Sequence, residues 1–141
     1  MLERQLTKVA GALNQNLNSA QNTALLTFVA HKPIVLHRFG VMANAAAGIL
    51  SPMRLKLRLT PVATGTAADI SGVGNLNPGA ARARGVGVYK TVGDDVTVQA
   101  GDTITLCVET AAGGTSTGDV WLEYAELPFS GTPIAPYVAS A

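Results

Sequence analysis

Residues 53–60 alternate strictly: Met53, Leu55, Leu57 and Leu59 are apolar, and Arg54, Lys56, Arg58 and Thr60 are basic or polar. A period of two puts each set on its own face of a strand and fits no helix, so a strand with one apolar and one basic face is predicted after Pro52. Weaker signals of the same kind lie on both sides of it. Residues 23–30 (TALLTFVA) and Ile34–Ala43 (IVLHRFGVMA) are β-branched and apolar, separated by HKP, where Pro33 can only open a strand or sit at an edge. Further strands are predicted over 85–92, 96–99 and Thr103–Thr110, separated by GDD and AGD turns, with Ile104, Leu106 and Val108 on one face. After the AAGGTSTGD loop, Val120, Leu122 and Tyr124 face one way, and Trp121 and Glu123 the other. Short strands at this spacing predict an all-β fold, an antiparallel sandwich or barrel, with its domain over 23–128.

The two ends of the chain depart from that pattern. Over residues 1–22, Leu2, Leu6, Val9 and Leu13 recur at helical spacing before a polar run, NQNLNSAQN, that is too rich in Asn to continue a helix well. This predicts an N-terminal arm with a short amphipathic helix, docked either on its own domain or on a partner. Residues 129–141 carry Pro133 and Pro136 and no charge, which predicts an extended tail able to anchor through Ile134, Tyr137 and Val138. Residues 61–84, rich in Gly, Ala, Asn and Pro, read as one long connection.

Composition fits short strands and many turns. Of 141 residues, 48% are hydrophobic and 13% charged, far from the make-up of a disordered chain, and a domain of this size can bury a core without disulfides. The one cysteine, Cys107, excludes an internal disulfide or a multi-cysteine zinc site. The first 18 residues lack the apolar stretch of a signal peptide, and the apolar window 41–50 is too short to span a bilayer, so synthesis in a cytosol and no membrane association are expected.

Charge is segregated although the net is only +1. Residues 1–90 hold ten Lys and Arg against Glu3 and Asp69, a net of +8, while residues 91–141 hold seven acids and no base, a net of −7. Either basic early strands pair with acidic late ones across a ladder, or the opposite charges meet between subunits.

Little in the chain suggests catalysis. His31 and His37 flank Pro33 without metal-ligand spacing, and Cys107 has no histidine near it in sequence. The glycine-rich stretches 72–79 and 85–87 match no nucleotide-binding pattern, and Asp94, Asp95 and Asp102 fall in turns that favour Asp for local hydrogen bonds. The Arg54, Lys56, Arg58 face has no interleaved aromatics, so no nucleic-acid partner is expected. No enzyme activity, cofactor or metal is expected. The residues with partner-binding potential are Leu2, Leu6, Val9 and Leu13 in the arm and Arg54, Lys56 and Arg58 on the basic strand face.

The phrases MRLKLRLTP and VGDDVTVQAGDTITLCVETAAGGTSTGDVWLEYAELPF, within residues 34–129, resemble the jelly-roll cement and decoration proteins of tailed bacteriophage heads. That resemblance implies a virion protein on the capsid surface, a homotrimer at threefold or quasi-threefold positions that clamps neighbouring major capsid protein subunits. A carbohydrate-binding or host-adhesion module on the same sandwich is the alternative, although Trp121 and three tyrosines offer few aromatics for sugar stacking.

Overall fold

The alternating segment after Pro52 forms a strand, and its pairing partners organise half of the molecule. In a computed structural model, residues 7–44, 53–70, 73–78, 85, 87–92, 96–114 and 116–127 are described. They contain nine strands and no helix: β1 (Thr7–Asn16), β2 (Ala24–Val29), β3 (Ile34–Ala43), β4 (Arg54–Thr60), β5 (Ala68–Asp69), β6 (Gly87–Thr91), β7 (Thr97–Val98), β8 (Thr103–Thr110) and β9 (Thr117–Glu126). One sheet has the order β1-β9-β3-β6, with β7 also on β3, and the other has the order β2-β8-β4-β5.

The pairing is nested. β1 pairs with β9, β2 with β8, β3 with β6 and β4 with β5, all antiparallel, so the chain is one long hairpin rolled into two sheets. This is the jelly roll, an arrangement that buries both inner faces with short, antiparallel connections. β6 and β7 share one edge: β7 pairs with the start of β3 at Ile34 and Val35, and β6 with its end from Arg38 to Met42.

The core lies between the sheets and follows the period-two pattern. Leu55 and Leu57 of β4, Ile104, Leu106 and Val108 of β8, and Val120 and Leu122 of β9 are buried, as are Leu36, Phe39 and Val41 of β3. Phe28 of β2 and Tyr124 of β9 join the two sheets at one side, with ring centroids 4.6 Å apart.

Three expectations are corrected. The helix read over the arm is a strand from Thr7 onward, and Leu2 and Leu6 lie outside the described residues. The apolar stripe suggested by Val9 and Leu13 does not face the core: they are 63% and 71% exposed, while Ala10 and Ala12 between them pack on it. β9 offers backbone groups along its whole length, and a ladder satisfies those of β1 better than a helix weakened by Gly11, Asn14 and Asn16. A bulge between Ala12 and Gln15, with Asn14 at φ 55°, shifts the register before pairing resumes at Gln15 and Asn16. Secondly, residues 61–84 are not one plain connection: they include β5, and Leu76 makes two backbone hydrogen bonds with Leu55 and is buried with Val73. Thirdly, Asp102 bonds away from its own turn, its carboxylate accepting the Val62 backbone N–H at 3.0 Å. The predicted tail at 129–141 and the turn residues Asp94 and Asp95 lie outside the described residues.

Candidate functional site

The outward face of the five-stranded sheet gathers aromatic, charged and apolar side chains, and strand register explains which ones meet. Because Val120, Leu122 and Tyr124 point inward, Trp121 and Glu123 stand on the outer side of β9, as the alternation predicts. Trp121 is opposite Gly11 of β1 and Gly40 of β3, and Gly40 is opposite Tyr89 of β6. One row across four strands therefore reads Gly11, Trp121, Gly40, Tyr89, and the next reads Val9, Glu123, Arg38, Thr91.

Glycine next to the tryptophan decides how the indole lies. A methyl group built on Gly40 would fall 2.3 Å from Trp121 Cζ2 and 2.6 and 2.7 Å from its bonded neighbours Cη2 and Cε2. Three distances so nearly equal place Gly40 beneath the ring face, since an atom beyond the ring edge would be clearly nearer to the middle atom of the three. The indole thus lies flat on the sheet and reaches Gly87, whose added methyl would meet Cη2 at 3.4 Å. One face of the ring covers glycine backbone, and the side chain as a whole is half-buried.

A chain of polar contacts holds the neighbouring groups. Trp121 Nε1 donates to Glu123 Oε2 at 3.0 Å, and Arg38 Nε donates to Glu123 Oε1 at 2.7 Å. The Arg38 guanidinium carbon lies 4.7 Å from the centroid of the Tyr89 ring, within cation–π range. The hydrogen bond to Glu123, and then its charge, raise the Arg38 pKa above its ordinary value. Tyr89 itself is 54% exposed. Beside these residues is an open depression of about 540 Å³ lined by Thr7, His37, Arg38, Thr91, Val92 and Glu123.

The residues expected to bind partners are divided by the fold. Val9 and Leu13 stand exposed on β1, at the edge of this same face. Arg54, Lys56 and Arg58 lie on the outer face of the other sheet, where two of the three are already ion-paired within the chain. Lys56 is only 6% exposed, its Nζ lying 2.8 Å from Glu109 Oε1 and 3.2 Å from Asp69 Oδ1. Arg58 Nε lies 3.0 Å from the same Asp69 oxygen, and Arg54 alone of the three is exposed with no ion pair among the described residues. The ladder explanation of the charge segregation accounts for these contacts: Lys8 pairs with Glu126 across β1–β9, Arg38 with Glu123 across β3–β9, and Lys56 with Glu109 across β4–β8.

These pairs set a pH window. The hydrogen bond from Lys56, and then that from Gln21, hold the Glu109 carboxyl below its ordinary value of 4.5, and the bond from Lys8 does the same for Glu126. Burial opposes the charge of Lys56, but Glu109 and Asp69 outweigh it and raise its pKa above 10.5. A depressed carboxyl contributes stability above its unfolded pKa and loses it as pH falls through the folded value; a raised lysine contributes below its unfolded pKa and loses it as pH rises. Stability is therefore expected to be level from about pH 5 to 10 and to decline below about 4.5. Urea unfolding as a function of pH checks this, and Glu109→Gln should make the acid decline shallower than in the parent chain.

Other reactive groups are scattered. His31 is exposed between β2 and β3, His37 lies in β3, and Cys107 is buried as a free thiol in β8. Among the described residues no three His, Cys, Asp or Glu side chains come together as metal ligands. The sequence reading did not single out Arg38, Tyr89 or Gly40. The available signal was Gly40 itself, a glycine inside an apolar strand run, which marks close approach by another group.

No protein-family model matches the sequence, and no curated protein is similar to it. The fold has counterparts among solved structures. A chain in the acidic stable capsid structure of Helicobacter pylori bacteriophage KHP30 superposes with TM-score 0.51 at 14% identity, over 89% of this chain and 94% of that one. The coat protein of Tobacco streak virus aligns over 94% of this chain and 93% of its own, at 13% identity and TM-score 0.38, a likeness too loose to bear on the fold. The first of these shows a shared fold, the rolled two-sheet sandwich.

Proposed function

We propose that this chain is a structural protein of a virion, and more specifically a decoration or cement protein on the outside of a phage head. The observation that carries the proposal is the likeness in fold to a chain of a bacteriophage capsid, which spans nearly the whole of both chains. The scattered histidines and the buried Cys107 agree with a role in contact rather than catalysis.

In this reading Val9 and Leu13 supply the apolar contact with major capsid protein or a neighbouring copy, because they project from an edge strand where another chain has access. Lys56 and Arg58 contribute little to such a contact, since their charge is already met by Asp69 and Glu109. A homotrimer joined through the β1 edges is the assembly this reading carries, stabilised mainly by apolar burial and only weakly affected by salt.

The test is cosedimentation of the purified protein with heads of the encoding virus that lack it. Saturable binding at a fixed ratio to the capsid subunit is expected, and Val9→Asp together with Leu13→Asp should weaken it strongly while leaving the subunit folded. Failure to bind such heads, or assembly of the chain by itself into closed shells, overturns the decoration role.

A further inference from the structure

We propose that the outward face of the five-stranded sheet carries a binding site for neutral oligosaccharide, centred on Trp121 and extending over β3 and β6. The ring lies flat across Gly40 and reaches Gly87, so it is directed away from the β1 edge that the capsid contact uses. Trp121 is half-buried, and the part of the indole left accessible above Gly40 supplies the flat apolar surface on which one sugar ring stacks in this proposal. The axial C–H groups of a pyranose make a matching apolar surface, while its equatorial hydroxyls project sideways and need polar partners.

Those partners are present at the rim. Glu123 is fixed as an acceptor by its bonds to Trp121 and Arg38, and the unused lone pairs of its two oxygens remain available to hydroxyl donors. Arg38 donates to Glu123 through Nε, which leaves the terminal guanidinium nitrogens as donors. A carboxylate beside a guanidinium offers acceptors and donors at the spacing of vicinal hydroxyls, with charge-assisted hydrogen bonds on both.

The depression on the far side of the Arg38–Glu123 pair from the ring extends the site to a second sugar. Its lining of Thr7, His37 and Thr91 around Arg38 and Glu123 consists largely of hydrogen-bonding side chains. Arg38 and Glu123 balance one another and Asp119 adds a negative charge on the same face of β9, which favours neutral sugars over sulfated or sialylated ones. Pre-ordering matters as well: Trp121, Glu123, Arg38 and Tyr89 are already held by one another, so binding need not freeze them. A protein partner of the usual kind would instead seek a broad apolar patch, and here the exposed aromatic surface is narrow and bordered by ions.

Trp121 is the one tryptophan of the chain, so its intrinsic fluorescence reports directly on the site. The experiment titrates the full chain with hexasaccharides of glucose, mannose, galactose and N-acetylglucosamine, and with a sialylated oligosaccharide, at low and high salt. A saturable change in Trp121 emission is expected with at least one neutral probe, insensitive to salt. Isothermal titration should then find that Tyr89→Ala and Glu123→Gln weaken binding severalfold and that Trp121→Ala weakens it by roughly tenfold or more. Head attachment by the same variants should remain intact. Tyr89 is exposed and Glu123→Gln is isosteric, so at least these two variants retain the fold even if Trp121→Ala does not. The inference is overturned if no neutral probe gives a saturable response, if the variants bind sugar as the parent does, or if they lose attachment to heads without any sugar binding in the parent. That last result would make this face the capsid contact and leave the decoration role standing.

Discussion

Deleting residues 1–22 is expected to unfold most of the chain at ambient temperature, seen as loss of the β-sheet circular dichroism signal and of a cooperative melt. The segment contains all of β1, which meets β9 through eight register pairs from Thr7 to Asn16. It also contains Leu17, fully buried, whose backbone N–H donates to the Ser116 carbonyl at 2.9 Å and whose carbonyl accepts from Ala112 N–H at 3.0 Å. Burial of Leu17 contributes about 1.5–3 kcal/mol, and each net backbone hydrogen bond about 0.5–1.5 kcal/mol. Set against a total stability of about 5–15 kcal/mol, the loss of both is severe. The deletion further turns β9, a strand paired on both sides, into an unprotected edge prone to aggregation. A truncated chain that melts within a few degrees of the parent would mean that β1 is a detachable arm.

Phe39→Ala is expected to be the most damaging of the simple core truncations. Phe39 is completely buried at the middle of β3, its strand neighbours being Leu122 of β9 and Lys90 of β6. Removing the ring leaves a cavity between two sheets that are each held by their own ladders and cannot collapse to fill it. The cost is about 3–5 kcal/mol, or a fall in melting temperature on the order of 10 °C. Tyr89→Ala is the matched control: an aromatic of similar size on the next strand, but exposed, so its melt should shift by only a degree or two. Equal shifts in the two variants would contradict the assignment of faces to β3 and β6.

The sequence by itself determined which segments become strands and which way most side chains point. Side-chain direction in a strand alternates by local geometry, so the pattern of 53–60, 103–110 and 120–124 could be read without knowing any partner, and the inward set Leu55, Leu57, Ile104, Leu106, Val108, Val120 and Leu122 is indeed buried. β1 resisted the same reading. Its inward residues are alanines and its larger apolar residues face out, so periodicity pointed to a helix, and only the backbone groups of β9 make the strand the better solution. The long-range facts belong to the tertiary structure for a similar reason. Lys56 is buried because Asp69 and Glu109 come to it from two other strands, and Trp121 lies flat because Gly40 is its register partner from far upstream. Nothing local encodes which strands become neighbours. That choice is made by nesting four antiparallel pairs so that both apolar faces are covered at once, and it is this nesting that brings Trp121, Glu123, Arg38 and Tyr89 onto one surface.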